Sequence, residues 1–247
     1  IMSNKIYPIG IQNFEKIRKG GYFYVDKTAL VYQLANSGSY YFLSRPRRFG
    51  KSLLLSTLEA YFEGKKDLFS GLTVERLEKD WTCYPVLHLD LNARRYENVG
   101  SLQEELNKYL EIWEHKYESP YGDRAPEERF YQVIRRAYEK TGQRVVILID
   151  EYDKPLLQAI GKPELQDAYR SLLKAFYGVM KSADGYIRFA MLTGVTKFSK
   201  VSVFSDLNNL EDVSFRRNYN ELCGISEQEL QDNLGDELPE FSQSLGL

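Results

Sequence analysis

The 247-residue sequence predicts an α/β fold in which helices cover both faces of a mainly parallel β-sheet. Two observations lead to this prediction. Four short runs of β-prone residues are apolar throughout instead of alternating with polar residues, which is typical of strands buried on both faces. Amphipathic helical patterns lie between these runs, and alternating strands and helices form right-handed crossovers that pack helices against the sheet.

The predicted elements alternate regularly along the chain. Strands are expected at residues 40–43, 86–91, 145–149 and 187–192, and helices at residues 52–62, 101–117, 127–140 and 165–181. After the fourth strand, residues 196–219 are polar and irregular, and residues 206–209 carry the Asp and Asn residues that favour turns. The fourth strand is therefore followed by a segment in which the sequence locates no regular element.

The C-terminal part of the chain predicts one more helix. Ser226, followed three residues later by Glu229, is the signature of a capped helix at residues 226–234. We expect residues 1–224 to form one domain, and residues 225–247 to be the start of a helical lid that is truncated.

The composition limits the classes of function. A formal net charge of −2 gives no sign of a nucleic-acid or membrane partner, so any basic patch must be local. Cys83 and Cys223 fit no metal or redox spacing, and two histidines exclude a histidine-rich metal site. The sequence shows no disulfide framework, signal peptide or apolar run of membrane-spanning length, which predicts a cytoplasmic protein.

Residues 45–52, Arg-Pro-Arg-Arg-Phe-Gly-Lys-Ser, follow the first predicted strand directly and resemble the end of a phosphate-binding P-loop. Gly50 would allow close backbone approach, Lys51 would reach the β- and γ-phosphates, and Ser52 would hold Mg²⁺. Arg45 stands where the pattern has its first glycine. A lysine and a serine at an ordinary helix start are the alternative, since Gly-Lys followed by Ser or Thr occurs by chance in roughly one chain in ten of this length.

A second motif supports the first. The predicted strand at 145–149 ends in Asp150 and Glu151. Asp150 would hold Mg²⁺ through water, opposite Ser52, and Glu151 would polarise the water that attacks the γ-phosphate. An ordinary strand that stops at acidic turn residues is the alternative, but the two motifs in this order favour nucleotide binding.

Two further strand ends carry polar residues. Asp90 ends the second predicted strand but no glutamate follows it, so we interpret it as a structural residue on the neighbouring strand rather than as a metal ligand. Thr193 ends the fourth strand and would sense the γ-phosphate. A threonine that merely caps the strand is an equally good interpretation.

The arginines leave several interpretations open. Arg45, Arg47 and Arg48 are solvent-facing charges, phosphate ligands, or contacts to an acidic partner or nucleic acid. Arg216 and Arg217 would serve as an arginine finger for a neighbouring subunit, although nothing in their spacing requires it.

With these residues in place, the chain resembles the bacterial AAA-ATPase-like family of P-loop proteins. The matching stretches are residues 7–15, 24–28, 41–52, 148–153 and 192–198. The resemblance implies that Arg45 is a family trait, that ATP and Mg²⁺ are the ligands, and that members commonly continue into a PD-(D/E)XK nuclease-like domain, which is not visible here. Resemblance to the wider signal-transducing ATPases implies that residues 22–28 pack against adenine, with residues 9–14 nearby; core packing is the alternative for these aromatics.

The complete prediction is a three-layer P-loop NTPase with a mainly parallel five-stranded sheet and the start of a helical lid. The expected nucleotide-binding residues are Arg47, Arg48, Phe49, Gly50, Lys51, Ser52 and Leu53, the expected catalytic residues are Glu151, Lys51 and Thr193, and the expected metal ligands are Ser52 and Asp150. The expected activity is ATP hydrolysis that drives or switches an appended domain, such as a nuclease-like one, or a partner. A slow nucleotide-dependent switch and a regulator of a nuclease acting on DNA remain as alternative functions. The partners considered besides ATP are a second copy of the chain in a homo-oligomer, an appended nuclease-like domain, and nucleic acid, which the net charge does not support.

Overall fold

The strands form one five-stranded sheet in which every pairing is parallel, in the order β2-β3-β4-β1-β5. The computed structural model describes residues 5–197, 200–235 and 237. The strands are β1 (Tyr40–Ser44), β2 (Val86–Asp90), β3 (Val145–Asp150), β4 (Ile187–Gly194) and β5 (Glu211–Asp212). The predicted α/β class and the parallel sheet are confirmed.

Ten α-helices and three short 3₁₀ helices accompany the sheet in the described residues. The α-helices are α1 (Phe14–Lys19), α2 (Thr28–Ser37), α3 (Lys51–Phe62), α4 (Val74–Leu77), α5 (Val99–Tyr117), α6 (Pro126–Thr141), α7 (Lys154–Gln158), α8 (Pro163–Ser182), α9 (Lys200–Val203) and α10 (Glu227–Leu234). The 3₁₀ helices are Lys66–Phe69, Asp184–Tyr186 and Arg217–Tyr219. None of the helices described here is long and apolar enough to cross a membrane.

The two faces of the sheet bury separate cores, which explains why the strands are apolar throughout. On β1, Tyr40 and Phe42 belong to one core, whereas Tyr41 and Leu43 belong to the other. The first core is completed by α5, α6 and α8. Within it, the rings of Phe130 in α6 and Phe176 in α8 are stacked, with their centroids 4.3 Å apart. The second core is completed mainly by α2 and α3. Helices on both faces confirm the predicted three-layer arrangement.

The fifth strand lies in the segment that the sequence showed as irregular. Glu211 and Asp212 pair with Tyr41 and Phe42 of β1 at the edge of the sheet. A strand of two acidic residues has no hydrophobic period, so the sequence pattern could not locate it. The same segment contains α9 and a 3₁₀ helix, and the turns expected at residues 206–209 are present.

The strand order brings the two predicted motifs to the same edge of the sheet. Strand β4 lies between β1 and β3, so that Leu43 is opposite Thr193 and Ile149 is opposite Leu192. Asp150 ends β3 opposite Asp90 of β2. Since ligands of open parallel sheets bind beyond the carboxyl ends of the strands, this edge is where a site is expected.

Candidate functional site

The loop between β1 and α3 leaves the start of a helix open to an anion. Arg48 and Gly50 both have left-handed backbones, with φ of 61° and 83°. Gly50 precedes the first residue of α3, and no side chain caps this helix end. The unpaired N–H groups and the helix dipole at this position favour a phosphate.

Lys51 is almost completely buried, with 3% of its surface exposed. Its Nζ donates to the carbonyl oxygens of Arg45 at 2.9 Å and Pro46 at 3.0 Å. The same ammonium forms an ion pair with Glu151 Oε1 at 3.1 Å. These contacts compensate a buried charge that would otherwise be costly, and they hold the side chain beneath the loop.

Asp150 joins three elements of the sheet edge. Its carboxylate is buried, with 2% exposed, and accepts hydrogen bonds from Ser52 Oγ at 2.5 Å and from Thr193 Oγ1 at 2.6 Å. Ser52 belongs to α3 and Thr193 to β4, so this carboxylate links α3, β3 and β4. The structure therefore brings together the two predicted metal ligands, Ser52 and Asp150, and Thr193 donates a hydrogen bond to Asp150.

Ser52 and Asp150 fit Mg²⁺. Both present hard oxygen donors, and Mg²⁺ typically binds through one or two carboxylates, phosphate oxygens and water. No group of three or more His, Cys, Asp or Glu suited to a metal occurs among the described residues, but a magnesium–nucleotide site does not require one.

Glu151 has a left-handed backbone with φ of 55°, a conformation that costs a non-glycine residue about 1–3 kcal/mol. Neighbouring contacts hold it there. Tyr152 N donates to Thr193 O at 2.9 Å, and the buried Asp153 carboxylate accepts from the N–H groups of Val195 and Thr196. Burial raises the pKa of the Glu151 carboxyl, against the opposing effect of Lys51, and the Asp150 charge raises it further.

Arg45, which replaces the first glycine of the common pattern, connects the loop to the rest of the sheet edge. Its guanidinium donates to the carbonyl oxygens of Ser214, which follows β5, and of Ser44. Its backbone N–H donates to Gly194 O at 3.1 Å. The side chain therefore has a structural role, and its carbonyl is one of the acceptors for Lys51.

Two cavities meet at the loop. A polar cavity of about 240 Å³ is lined by Arg47, Lys51, Ser52 and Glu151 among others. A mainly apolar cavity of about 410 Å³ lies on the other side of the loop and is lined in part by Leu53. The residues common to both cavities are Arg48, Phe49 and Gly50. Every predicted nucleotide-binding residue therefore lines at least one of the two cavities.

The N-terminal segment also takes part in the site. Phe23, Tyr24 and Lys27 line the apolar cavity, as the predicted adenine contacts at residues 22–28 require. Gln12 lines the polar cavity, but Phe14 is buried and packs on Tyr24 with ring centroids 5.2 Å apart. The aromatics of this segment thus serve both the cavity and the core.

The C-terminal helix α10 borders the apolar cavity. The sequence predicted the start of a helical lid here, but it did not predict which part of the molecule this helix would contact. Leu234 of α10 lines the cavity, and Lys27 forms an ion pair of 2.5 Å with Glu229 in the first turn of the same helix. The capping box of Ser226 and Glu229 is present as predicted. The capping box predicted that a helix begins here, but it gave no information on which residues the helix contacts. Residues 236 and 238–247 of the predicted lid lie outside the described residues, as does Phe198 of the matching stretch 192–198.

The remaining candidates take no part in these hydrogen bonds. Asp90 lies opposite Asp150 and lines a cavity with Asp150 and Ser52. Its carboxylate accepts from Asn92 N at 2.7 Å and has no side-chain hydrogen bond to either residue in the described part of the chain. Arg216 pairs with Glu211 at the outer edge of the sheet. Arg216 and Arg217 do not line either cavity.

Comparison with known sequences identifies the family of the chain. Residues 8–204 match the family model described as AAA-ATPase-like, predicted AAA-ATPase. The chain belongs to this AAA-ATPase-like family. It is 45% identical over 240 residues to a protein of Azotobacter chroococcum mcd 1 described as an uncharacterized protein in the vnfD 5' region. The match covers 96% of this chain and 46% of that relative, so the chain spans about half of the relative's length. No solved structure matches the chain.

Family membership confirms the resemblance inferred from the motifs. It supports nucleotide binding by a P-loop NTPase fold in general terms. In this AAA-ATPase-like chain, Arg45 occupies the first glycine position of the P-loop pattern, and its guanidinium binds the carbonyl oxygens of Ser44 and Ser214. Substitution of Arg45 tests whether these hydrogen bonds stabilise the fold.

Replacing Arg45 by glycine, which restores the common P-loop pattern, is expected to destabilise the protein. The variant Arg45→Gly loses the hydrogen bonds to Ser214 and Ser44 and gains backbone freedom, so the free energy of unfolding in urea should fall by about 1–3 kcal/mol. Arg48→Gly is the matched control, because Arg48 is exposed and left-handed and has no hydrogen bond or ion pair to the described residues. An Arg45→Gly protein as stable as the Arg48→Gly protein would contradict the structural role of Arg45.

Proposed function

We propose that the chain binds ATP and hydrolyses it with Mg²⁺, and that it uses this cycle to switch an appended domain or a partner. The observation that carries the proposal is the convergence of Lys51, Ser52, Asp150 and Glu151 at the open N-terminus of α3. A cation, a hydroxyl and two carboxylates at a helix N-terminus are the groups that phosphoryl transfer requires.

The two cavities fit the two ends of ATP. The triphosphate is assigned to the polar cavity, where the N–H groups of α3 and the side chains of Arg47 and Arg48 are available. The adenosine is assigned to the apolar cavity, whose volume lies within the usual range for small-molecule sites. Phe49 and Gly50 border both cavities, and Leu53 contacts the adenosine side.

Lys51 changes partners when the triphosphate binds. Its ammonium leaves Glu151 and donates to the β- and γ-phosphate oxygens, so the Glu151 carboxylate becomes available to water. Ser52 and Asp150 would hold Mg²⁺, which neutralises charge on the phosphates. Thr193 keeps Asp150 in place through its hydroxyl, and this contact is the route by which it would respond to the γ-phosphate.

The chemical step follows from these positions. Glu151 accepts a proton from water as the water oxygen forms a bond to the γ-phosphorus. The bond between that phosphorus and the β–γ bridging oxygen breaks, and ADP and inorganic phosphate leave. The left-handed backbone of Glu151, held by Tyr152 and Asp153, fixes the carboxylate on the side of Lys51.

Substitutions of Lys51 and Glu151 should separate binding from hydrolysis. Lys51→Ala is expected to weaken ATP binding by about 10–100-fold, because it removes charge-assisted hydrogen bonds to phosphate. Glu151→Gln should keep ATP binding but lower kcat by about 10²–10⁴-fold, because the amide cannot accept the proton. Calorimetry for binding and phosphate release for turnover are the measurements.

Lys174→Ala and Glu139→Gln, on the exposed surfaces of α8 and α6, are the matched controls and should behave as the wild type. Wild-type binding and turnover in both Lys51→Ala and Glu151→Gln would exclude the proposed site.

A slow-turnover switch is the second candidate, and the contact between Lys27 and Glu229 favours it. The ion pair is mostly buried, with side-chain exposures of 10% and 19%, and it holds α10 against the cavity assigned to adenosine. We expect a nucleotide in this cavity to leave faster when the pair is broken, because α10 is then held less firmly beside it. Retention of nucleotide therefore depends on this contact.

Glu229→Gln should release bound nucleotide faster while leaving the helix intact. Glutamine still serves in the capping box, but it loses the charge that pairs with Lys27. A tenfold faster release corresponds to about 1.4 kcal/mol. Stopped-flow displacement of a fluorescent ADP measures the rate, with Glu227→Gln in the same turn as the control. Equal release rates in the two variants would show that α10 does not retain the nucleotide.

A further inference from the structure

The three arginines of the loop have different surroundings. Arg45 is bound to Ser214 and Ser44. Arg48 lies at the boundary between the two cavities and has a left-handed backbone. Arg47 lines only the polar cavity, together with Lys51 and Glu151.

The Arg47 side chain is available to a ligand. It is exposed and has no hydrogen bond or ion pair to any residue that the structure describes. A second cation lies near it. Burial lowers the pKa of Lys154, and the charges of Arg47 and Arg95 lower it further, against the opposing effects of Asp90 and Glu151. Arg47 therefore adds an uncompensated positive charge to the cavity assigned to the triphosphate.

Other arginines are less suitable for contact with the γ-phosphate. Arg95 is near Lys154 but does not line the polar cavity. Arg216 pairs with Glu211 at the edge strand. Among the arginines that the structure describes, Arg47 lines the polar cavity together with Glu151 and does not line the apolar cavity.

We propose that Arg47 is an arginine finger supplied by the same chain, donating to the γ-phosphoryl oxygens as the bond to the leaving oxygen breaks. The inference rests on the proposed ATPase function and adds to it a role for Arg47 beyond ground-state binding. Negative charge on these oxygens in the transition state is stabilised by a guanidinium placed before the reaction begins. One copy of the chain then carries the complete set of catalytic side chains.

The test compares Arg47→Ala with the wild type by four measurements: kcat, the Kd for a non-hydrolysable ATP analogue, the Kd for ADP with aluminium fluoride, and the dependence of the rate on protein concentration. We expect kcat to fall by about 10²–10³-fold. Binding of the aluminium fluoride complex, which resembles the transition state, should weaken by a similar factor. The Kd for the ATP analogue should change by less than about tenfold, since a residue that acts in the transition state lowers kcat more than binding.

Arg95→Ala and Arg216→Ala are the matched controls and should keep the wild-type kcat. Arg47→Lys should recover only part of the activity, because an ammonium lacks the planar fork of the guanidinium. The wild-type rate per chain should not depend on protein concentration. Thermal unfolding followed by circular dichroism checks that each variant is folded.

Three results would overturn the assignment: an unchanged kcat in Arg47→Ala, an equal loss of binding for the ATP analogue and the aluminium fluoride complex, or a rate per chain that rises with concentration and is abolished by Arg216→Ala. The last would place the arginine on a neighbouring copy. A wild-type protein that neither binds nor hydrolyses ATP would instead overturn the proposed function, and the assignment of Arg47 with it.

Discussion

The site is built around the buried positive charge of Lys51, which contacts both the loop after β1 and the carboxylate of Glu151. A buried ammonium needs acceptors for its protons, and here it has two loop carbonyls and the Glu151 carboxylate. These contacts hold the loop in a folded arrangement and occupy the carboxylate assigned to hydrolysis. In the proposed mechanism, a bound triphosphate offers the Lys51 ammonium stronger acceptors. The proposal therefore links nucleotide binding to the activation of Glu151 through one side chain, because Lys51 cannot contact both partners in the same position.

The sheet topology makes this contact possible. Strand β4 separates β1, which leads into the loop, from β3, which ends in Asp150 and Glu151. Thr193, at the end of β4, and Ser52, in α3, both donate hydrogen bonds to the Asp150 carboxylate. The strained backbone of Glu151 is held by backbone and side-chain contacts to the same strand end, so sheet pairing and site geometry depend on each other.

The sequence predicted those parts of the molecule that follow a periodic or local rule. Four strands were located because both their faces are buried, and Lys51, Ser52 and Asp150 were recognised because each follows a strand at a set spacing. Strand β5 has two acidic residues and no period. The contact between Lys27 and Glu229 joins residues 202 positions apart, which no local pattern reveals. Thr193 was expected to face the γ-phosphate, whereas its hydroxyl donates to Asp150; its role in catalysis remains a prediction.

The exchange of Lys51 between Glu151 and phosphate is most directly tested by a crystal structure of the chain with Mg²⁺ and a non-hydrolysable ATP analogue. We expect the phosphates to lie at the N-terminus of α3, with Lys51 Nζ in contact with them and no longer at 3.1 Å from Glu151 Oε1. An analogue bound at this position with the ion pair between Lys51 and Glu151 intact, or an analogue bound elsewhere, would contradict this expectation.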